Sequence, residues 1–212
     1  MVKSQVFDDH IEDYERWFTD NIWVYKSELQ AIRTILPETG DGIEIGIGSG
    51  LFAQPLGIRS GIEPSRKMRE TVRNRGLNVI DAVAEKIPYP DQSWDYALMV
   101  TTICFVDDPL QSLQEINRIL KWQGHIIIGF VDKNSPVGKL YLQHQNESIF
   151  YREAVFYSTE EIYLLLRNTG FKVVETCQTV FGLLDEIKEV QPAAAGYGKG
   201  SFVVIKAQKY VH

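Results

Sequence analysis

Three glycines spaced two apart, Gly46, Gly48 and Gly50, lie between two carboxylates, Glu44 and Glu63. Glycine permits backbone conformations closed to other residues and lets a ligand approach the main chain. The run Gly42-Ile-Glu-Ile-Gly-Ile-Gly-Ser-Gly50 therefore reads as an apolar strand, stiffened by Ile43, Ile45 and Ile47, that enters a tight ligand loop. After the first strand of an α/β sheet, such a loop is a nucleotide-type cofactor site. Glu44 is expected to face the crevice, where its carboxylate repels a pyrophosphate and orients an ammonium group, directly or through water. Glu63, flanked by Ile62 and Pro64, falls at the end of a second strand, where a carboxylate can accept both hydroxyls of a ribose.

The rest of the pattern supplies the sheet that these residues need. Apolar spacings of three and four from Val6 to Leu36 predict two helices with a break near Thr19 to Asn21, carrying Tyr14, Trp17, Tyr25, Leu29 and Ile32. A short helical turn limited by Pro55 and Gly57 follows the loop. Strands are predicted at Ile58–Glu63, Leu77–Ala82, Trp94–Val100, His125–Val131, Phe171–Phe181 and Phe202–Ala207. Helices begin at Pro64-Ser65, at Pro109 and at the Ser158/Glu161 capping box, with a short one over Tyr141 to Gln145. The last two strands leave no room for a crossover helix and are expected to pair antiparallel at the sheet edge. The fold class is thus α/β, a Rossmann-like three-layer sandwich with a mostly parallel seven-stranded sheet, an antiparallel last strand and an N-terminal helical cap. One domain is expected over 1–212, with helices in 1–36, a cofactor-binding core in 40–131, a substrate-side insertion in 132–157, and a C-terminal helix with edge strands in 158–212.

Composition narrows the partners. At 212 residues, 44% hydrophobic and 24% charged, the chain is ordinary for a globular domain, and a net charge of −6 gives no footprint for nucleic acid or an anionic membrane surface. A small-molecule partner is expected. No run is long enough to span a bilayer, and no apolar leader precedes the acids Asp8, Asp9, Glu12 and Asp13, so a cytoplasmic protein is expected. Cys104 and Cys177 lack metal or disulfide spacing and are expected to be buried free thiols.

Gly48-Ser-Gly50-Leu-Phe-Ala53 satisfies Gly-x-Gly-x-x-Ala, so a nicotinamide-dependent oxidoreductase is one reading. Against it, Pro55 truncates the helix that would face a pyrophosphate, Glu63 precedes the ~20-residue separation of a ribose acid, and Glu44 lies in the strand. The segment Glu44-Ile-Gly-Ile-Gly-Ser-Gly50 resembles the first motif of class I S-adenosylmethionine-dependent methyltransferases, and Ile62-Glu-Pro-Ser65 resembles their ribose-binding motif. Ala84-Glu-Lys-Ile-Pro88, Asp91-Gln-Ser-Trp-Asp95, Val106-Asp-Asp-Pro109, Arg118-Ile-Leu-Lys121 with Gly124, Phe156-Tyr-Ser-Thr-Glu160 and Gly170-Phe171 follow the order of the small-molecule subgroup that includes ubiquinone and menaquinone biosynthesis methyltransferases. The resemblance covers roughly residues 40 to 180.

It implies S-adenosylmethionine as cofactor and S-adenosylhomocysteine as product. Gly46, Gly48 and Gly50 would pass against the methionine part and ribose, with Glu44 counted among the cofactor-binding residues. Glu63 would bind the ribose hydroxyls. Ala84, beside Glu85, would present its amide to adenine between Pro64 and Met68, and the main chain near Thr101 would hold the methionine ammonium. The chain departs from the family at Val83, where relatives place an acid for adenine and where Asp81 substitutes only if the strand end is irregular. Ile103-Cys104-Phe105 stand where relatives carry a His, and Trp122-Gln123 replace the usual Pro-Gly as a local turn change.

The implied reaction is in-line methyl transfer to an N, O or C nucleophile, for which the protein mainly supplies alignment and exclusion of water. A base is needed only if the acceptor must lose a proton. The candidates are His10, Asp107, Asp108, Tyr14 and His144, with His144 preferred and none assigned. Tyr14, Trp17, Phe105, Tyr141 and Tyr151 would make an aromatic pocket, fit for a small amine, a phenol or a quinone-like ring. A magnesium-dependent catechol-type site would draw on Asp107, Asp108, Asp132 and Asn134; metal-free transfer is the preferred reading, with no metal ligand assigned. From a different class, a protein that binds S-adenosylmethionine without turnover is the alternative.

Overall fold

The computed structural model describes residues 2–210; Met1, Val211 and His212, which the single-domain expectation includes, lie outside the described residues. In chain order the elements are α1 (Val2–Asp9), α2 (Ile11–Asp20), α3 (Ile22–Ile35), β1 (Gly42–Ile45), α4 (Ala53–Leu56), β2 (Ser60–Ile62), α5 (Arg66–Asn74), β3 (Asn78–Ile80), β4 (Trp94–Val100), α6 (Pro109–Ile119), β5 (Leu120–Val131), α7 (Pro136–Gln143), α8 (Thr159–Asn168), β6 (Phe171–Thr179), β7 (Ala194–Ala195) and β8 (Phe202–Lys209). They form one sheet of order β3-β2-β1-β4-β5-β8-β6-β7. Strands β1 to β5 are parallel, with Ile43 opposite Ala97 and Ala97 opposite Ile126, while β8 runs antiparallel between β5 and β6.

Alternation along the central strands sends neighbouring residues to opposite faces, which makes two cores. Leu98, Ile127 and Val204 pack with Ile32 and Ile35 of α3 and Val72 of α5 on one face. Ala97, Met99, Ile126, Ile128 and Ile205 pack with Leu113 and Ile116 of α6 and Ile162 and Leu166 of α8 on the other. Helix, sheet and helix are the three layers that the sequence predicts. Because β1 neighbours both β2 and β4, the chain leaves β1 in opposite directions at one point of the sheet, and the carboxyl ends of β1 and β4 open a crevice there.

The capping residues fix where the flanking helices begin. Ser65, Asp108 and Ser135 accept from the amides of Met68, Gln111 and Gly138, and Ser158 makes a complete capping box with Glu161. Both cysteines are free and buried. No helix among the described residues is long and apolar enough to cross a membrane.

Three expectations need correction. The sheet has eight strands rather than seven, because Ala194–Ala195 in the excursion after β6 adds a two-residue edge. The N-terminal region has three helices rather than two: the break at Asn21 is present, and a second at His10, which has non-helical φ/ψ, separates α1 from α2. Strand β5 starts at Leu120 rather than His125, since Leu120 pairs with Trp94 before a register shift that Gln123 relieves at φ +61°.

Candidate active site

The loop after β1 is closed by its own glycines. Gly46, Gly48 and Gly50 have φ of +70°, +55° and +87°, in the region that side-chain-bearing residues avoid. A Cβ on Gly46 would run into the Thr102 side chain, and one on Gly48 would lie 3.0 Å from the Tyr14 hydroxyl. Opposite, Thr101 leaves β4 at φ +49° with its amide donating to the Gly129 carbonyl at 2.8 Å, a strained backbone held by the sheet at the mouth of the crevice. Thr102 Oγ1 donates to the carbonyls of Val100 and Gly46, which joins the two loops.

Between them lies a cavity of about 630 Å³, walled by the glycine loop, Glu63 and the segments after β3 and β4. Glu63 is buried, and its two carboxylate oxygens accept from the amides of Ser65 at 2.8 Å and Gly48 at 3.0 Å. Burial pushes its carboxyl up to about 7, against the pull of those two amides. Helix α1 covers this cavity with Ser4, Gln5 and Phe7. Asp8 holds it there, accepting at 2.8 Å from both the Ser65 hydroxyl and the Lys67 amide.

A second, smaller cavity of about 90 Å³ adjoins the first and shares with it the walls Phe7, Tyr14, Thr101 and Phe105. Its other walls are aromatic, and include Trp17, Tyr141, Phe150 and Tyr151. Tyr151 stacks between Phe105 and Tyr141, with ring centroids 6.1 and 4.8 Å away. One acid, Glu28 of α3, also lines it.

Most residues singled out in the sequence come together here, and some do not. Gly46, Gly48, Glu63, Pro64, Met68, Ala84, Glu85, Thr101, Tyr14 and Asp107 all line the larger cavity. Glu44 and Gly50 do not. Glu44 lies buried under the loop, where burial raises its carboxyl well above the ordinary range and the Ala53 amide opposes the shift; its second oxygen has no hydrogen-bond partner. The expectation that Glu44 faces the crevice is therefore replaced by a carboxylate beneath the crevice floor. Strand β3 ends at Ile80, so Asp81 stands in irregular chain and lines the cavity, paired with Arg69 at 2.8 Å. Glu85 holds the loop after β4 by accepting from the amides of Asp107 and Asp108.

His144 is not in the site: it ends α7 on the surface, 60% exposed, paired with Glu147. His10 contacts Asp13 at 3.3 Å and lines neither cavity. The acids weighed for magnesium are dispersed. Asp132 accepts from the Asn134 amide and from the amide and hydroxyl of Thr159, while Asp108 caps α6. Among the described residues no group of three or more His, Cys, Asp or Glu could hold a metal ion.

Sequence reasoning missed Glu28, Phe150 and the α1 residues Ser4, Gln5 and Phe7. Glu28 had a signal, since an acid at 28 interrupts the apolar row Val24, Ile32 and Ile35 of α3, all buried. The others had none, because an amphipathic row does not show which cavity it covers.

A methyltransferase-domain family model matches residues 43–128, the stretch from β1 through most of β5. A solved S-adenosylmethionine-dependent methyltransferase of Thermotoga maritima, described as a possible histamine N-methyltransferase, is 48% identical with a TM-score of 0.95, covering 97% of this chain and 99% of its own. This chain belongs to the class I S-adenosylmethionine-dependent methyltransferases. An uncharacterized protein of Methanocaldococcus jannaschii is 39% identical over 204 residues, 96% of this chain and 98% of that one. The ubiquinone/menaquinone biosynthesis C-methyltransferase of Campylobacter jejuni is 28% identical over 182 residues, 74% of this chain and 77% of its own. Family membership replaces the nicotinamide reading of the glycine loop with S-adenosylmethionine. The methyltransferase cavity fits that cofactor on its own terms: a large crevice, an acid at the end of β2, apolar walls at Ile62, Met68 and Val83, and a loop that Cβ atoms would fill.

Proposed function

We propose that the protein transfers a methyl group in line from S-adenosylmethionine to a small-molecule acceptor seated in the aromatic cavity. The observation that carries this reading is the adjacency of the two cavities, which share the walls Phe7, Tyr14, Thr101 and Phe105. The cofactor supplies an activated methyl group on a sulfonium. The chain's own residues align and dehydrate. In this reading Glu63 takes the ribose hydroxyls, exchanging part of its hold on the Gly48 amide, while Ala84 with Pro64 and Met68 bounds the adenine and the backbone at Thr101 holds the ammonium. Glu44, whose burial favours the protonated form, lies under the loop and accepts from the Ala53 amide, which braces the loop from below.

Helices α1 to α3 act as the cap over both cavities, and the segment 132–157 supplies Tyr141, Phe150 and Tyr151 to the acceptor side. The aromatic walls exclude water from the reacting atoms. Burial raises the Tyr14 hydroxyl above its ordinary value, so it serves as a hydrogen-bond donor at the junction and not as a base. The names of the Thermotoga and Campylobacter relatives, one a possible histamine methyltransferase and the other acting in quinone biosynthesis, support a small acceptor. A screen of small amines, phenols and carboxylic acids, read as S-adenosylhomocysteine by mass spectrometry, is expected to give product with at least one class. Tight cofactor binding with no product from any class would instead favour a binder without turnover.

A further inference from the structure

Glu28 has no role in the cofactor cavity, yet it is the most unusual group on the acceptor side. It is 5% exposed, lines the aromatic cavity, and receives no hydrogen bond or ion pair among the described residues. No Lys, Arg or His is among the residues that line this cavity. A buried carboxyl without a partner is costly to ionise, so its presence in a cavity of this kind points to a partner that arrives from outside. Aromatic faces carry negative potential and favour cations. Tyr14, Trp17, Tyr141 and Tyr151 surround the same space as Glu28.

Resting on the methyl-transfer reading above, we propose that the acceptor is a small amine, bound with its nitrogen against the Glu28 carboxylate inside the aromatic cavity. A phenol is held less well by the same geometry, because it brings no positive charge to pair with the Glu28 carboxylate or to sit against the aromatic faces. In the reaction, the bound ammonium passes one proton to Glu28, which frees the nitrogen lone pair. That pair forms the nitrogen–methyl bond as the methyl–sulfur bond breaks, with its electrons left on sulfur. The methylated ammonium carries the charge that sulfur loses, and the proton on Glu28 passes to water as the product leaves. Burial pushes the Glu28 carboxyl up to about 8, which suits a group that must hold a proton for part of the cycle.

The test uses the full chain saturated with S-adenosylhomocysteine, with benzylamine and phenethylamine as probes and benzyl alcohol and p-cresol as neutral isosteres. Thermal unfolding is expected to show the amines raising the midpoint and the isosteres leaving it unchanged. Glu28→Gln is expected to lower amine affinity roughly 10- to 100-fold, the loss of one charge-assisted hydrogen bond, while calorimetric S-adenosylhomocysteine affinity stays at the wild-type value. Equal shifts from amines and isosteres, no shift from either amine, or amine selectivity retained in Glu28→Gln would each overturn the proposal. If Glu28→Gln does not fold, the wild-type comparison of benzylamine with benzyl alcohol still decides it. Methyl transfer to p-cresol without transfer to amines would reject the amine and keep the methyl-transfer reading. Failure of S-adenosylhomocysteine to bind the wild type would overturn both.

Discussion

The two ends of the crevice are built in different ways. The larger cavity is walled under α1 by a few contiguous segments: Gly46 and Gly48 after β1, Glu63 after β2, and the turns after β3 and β4. The acceptor end uses side chains from distant elements, with Trp17 on α2, Glu28 on α3, Tyr141 on α7 and Tyr151 beyond it. A loop that must approach its ligand closely is restricted to glycines at fixed spacing, so chemistry and sequence coincide there. Large aromatic side chains on helices fill cores as readily as they line cavities, so the acceptor end carries no comparable signature.

Breaking the cofactor end should have the largest effect. If Glu63 holds the ribose as proposed, Glu63→Ala removes two charge-assisted hydrogen bonds to it and leaves the Gly48 amide without its acceptor, so calorimetric affinity for S-adenosylhomocysteine is expected to fall about 100-fold or more. Amine selectivity at the other end should survive wherever saturation can still be reached.

Next is pH, which acts at both ends. The carboxyls of Glu28 and Glu63 are pushed to about 8 and about 7 by burial, and Glu44 is raised as well. Their protonated forms favour the folded state. That stability is fully present below the ordinary value of about 4.3 and is lost as pH rises through the folded values. Denaturant unfolding of the ligand-free protein is expected to weaken by on the order of a few kcal/mol from pH 5 to pH 9. Glu28→Gln should remove its share of this loss, which accrues from about pH 4.3 up to about 8 and extends past the range of Glu63; a slope of opposite sign would contradict the burial of these acids.

Gly46→Ala forces a left-handed residue with φ +70° and drives its methyl group into Thr102. A destabilisation of about 1–3 kcal/mol is expected from thermal melts, with weaker cofactor binding and an unaltered aromatic cavity.

The smallest effect should come from Asp8→Ala, which releases α1 from the amide of Lys67 and the Ser65 hydroxyl. Loss of a cap of this kind is worth about 1 kcal/mol. Faster dissociation of S-adenosylhomocysteine by a few-fold, measured by stopped flow, would show α1 acting as a cover, and an unchanged rate would make it packing only.

Legibility followed the same division. Trp94–Val100 was readable as a strand because every residue after Asp95 is apolar, and Ser158 with Glu161 announced the start of α8. The break at His10 was not readable, since Phe7, Ile11 and Tyr14 keep a helical spacing across it. The early start of β5 depends on a bulge and a positive φ at Gln123, neither of which a hydrophobic pattern encodes. His144 lies in an irregular segment that the pattern leaves open to a substrate role, but the segment carries it to the surface beside Glu147. Glu28 is the opposite case: an acid inside the buried apolar row Val24, Ile32 and Ile35 reads as an interruption of the pattern, and only its burial marks it as a lead to the acceptor.

The most direct test is calorimetric titration of S-adenosylhomocysteine at pH 8 into the wild type, Glu63→Ala and Glu28→Gln. The two-ended crevice predicts binding to the wild type, a loss of about 100-fold in Glu63→Ala, and wild-type affinity in Glu28→Gln. Undiminished binding by Glu63→Ala, or loss of binding in Glu28→Gln alone, would contradict it.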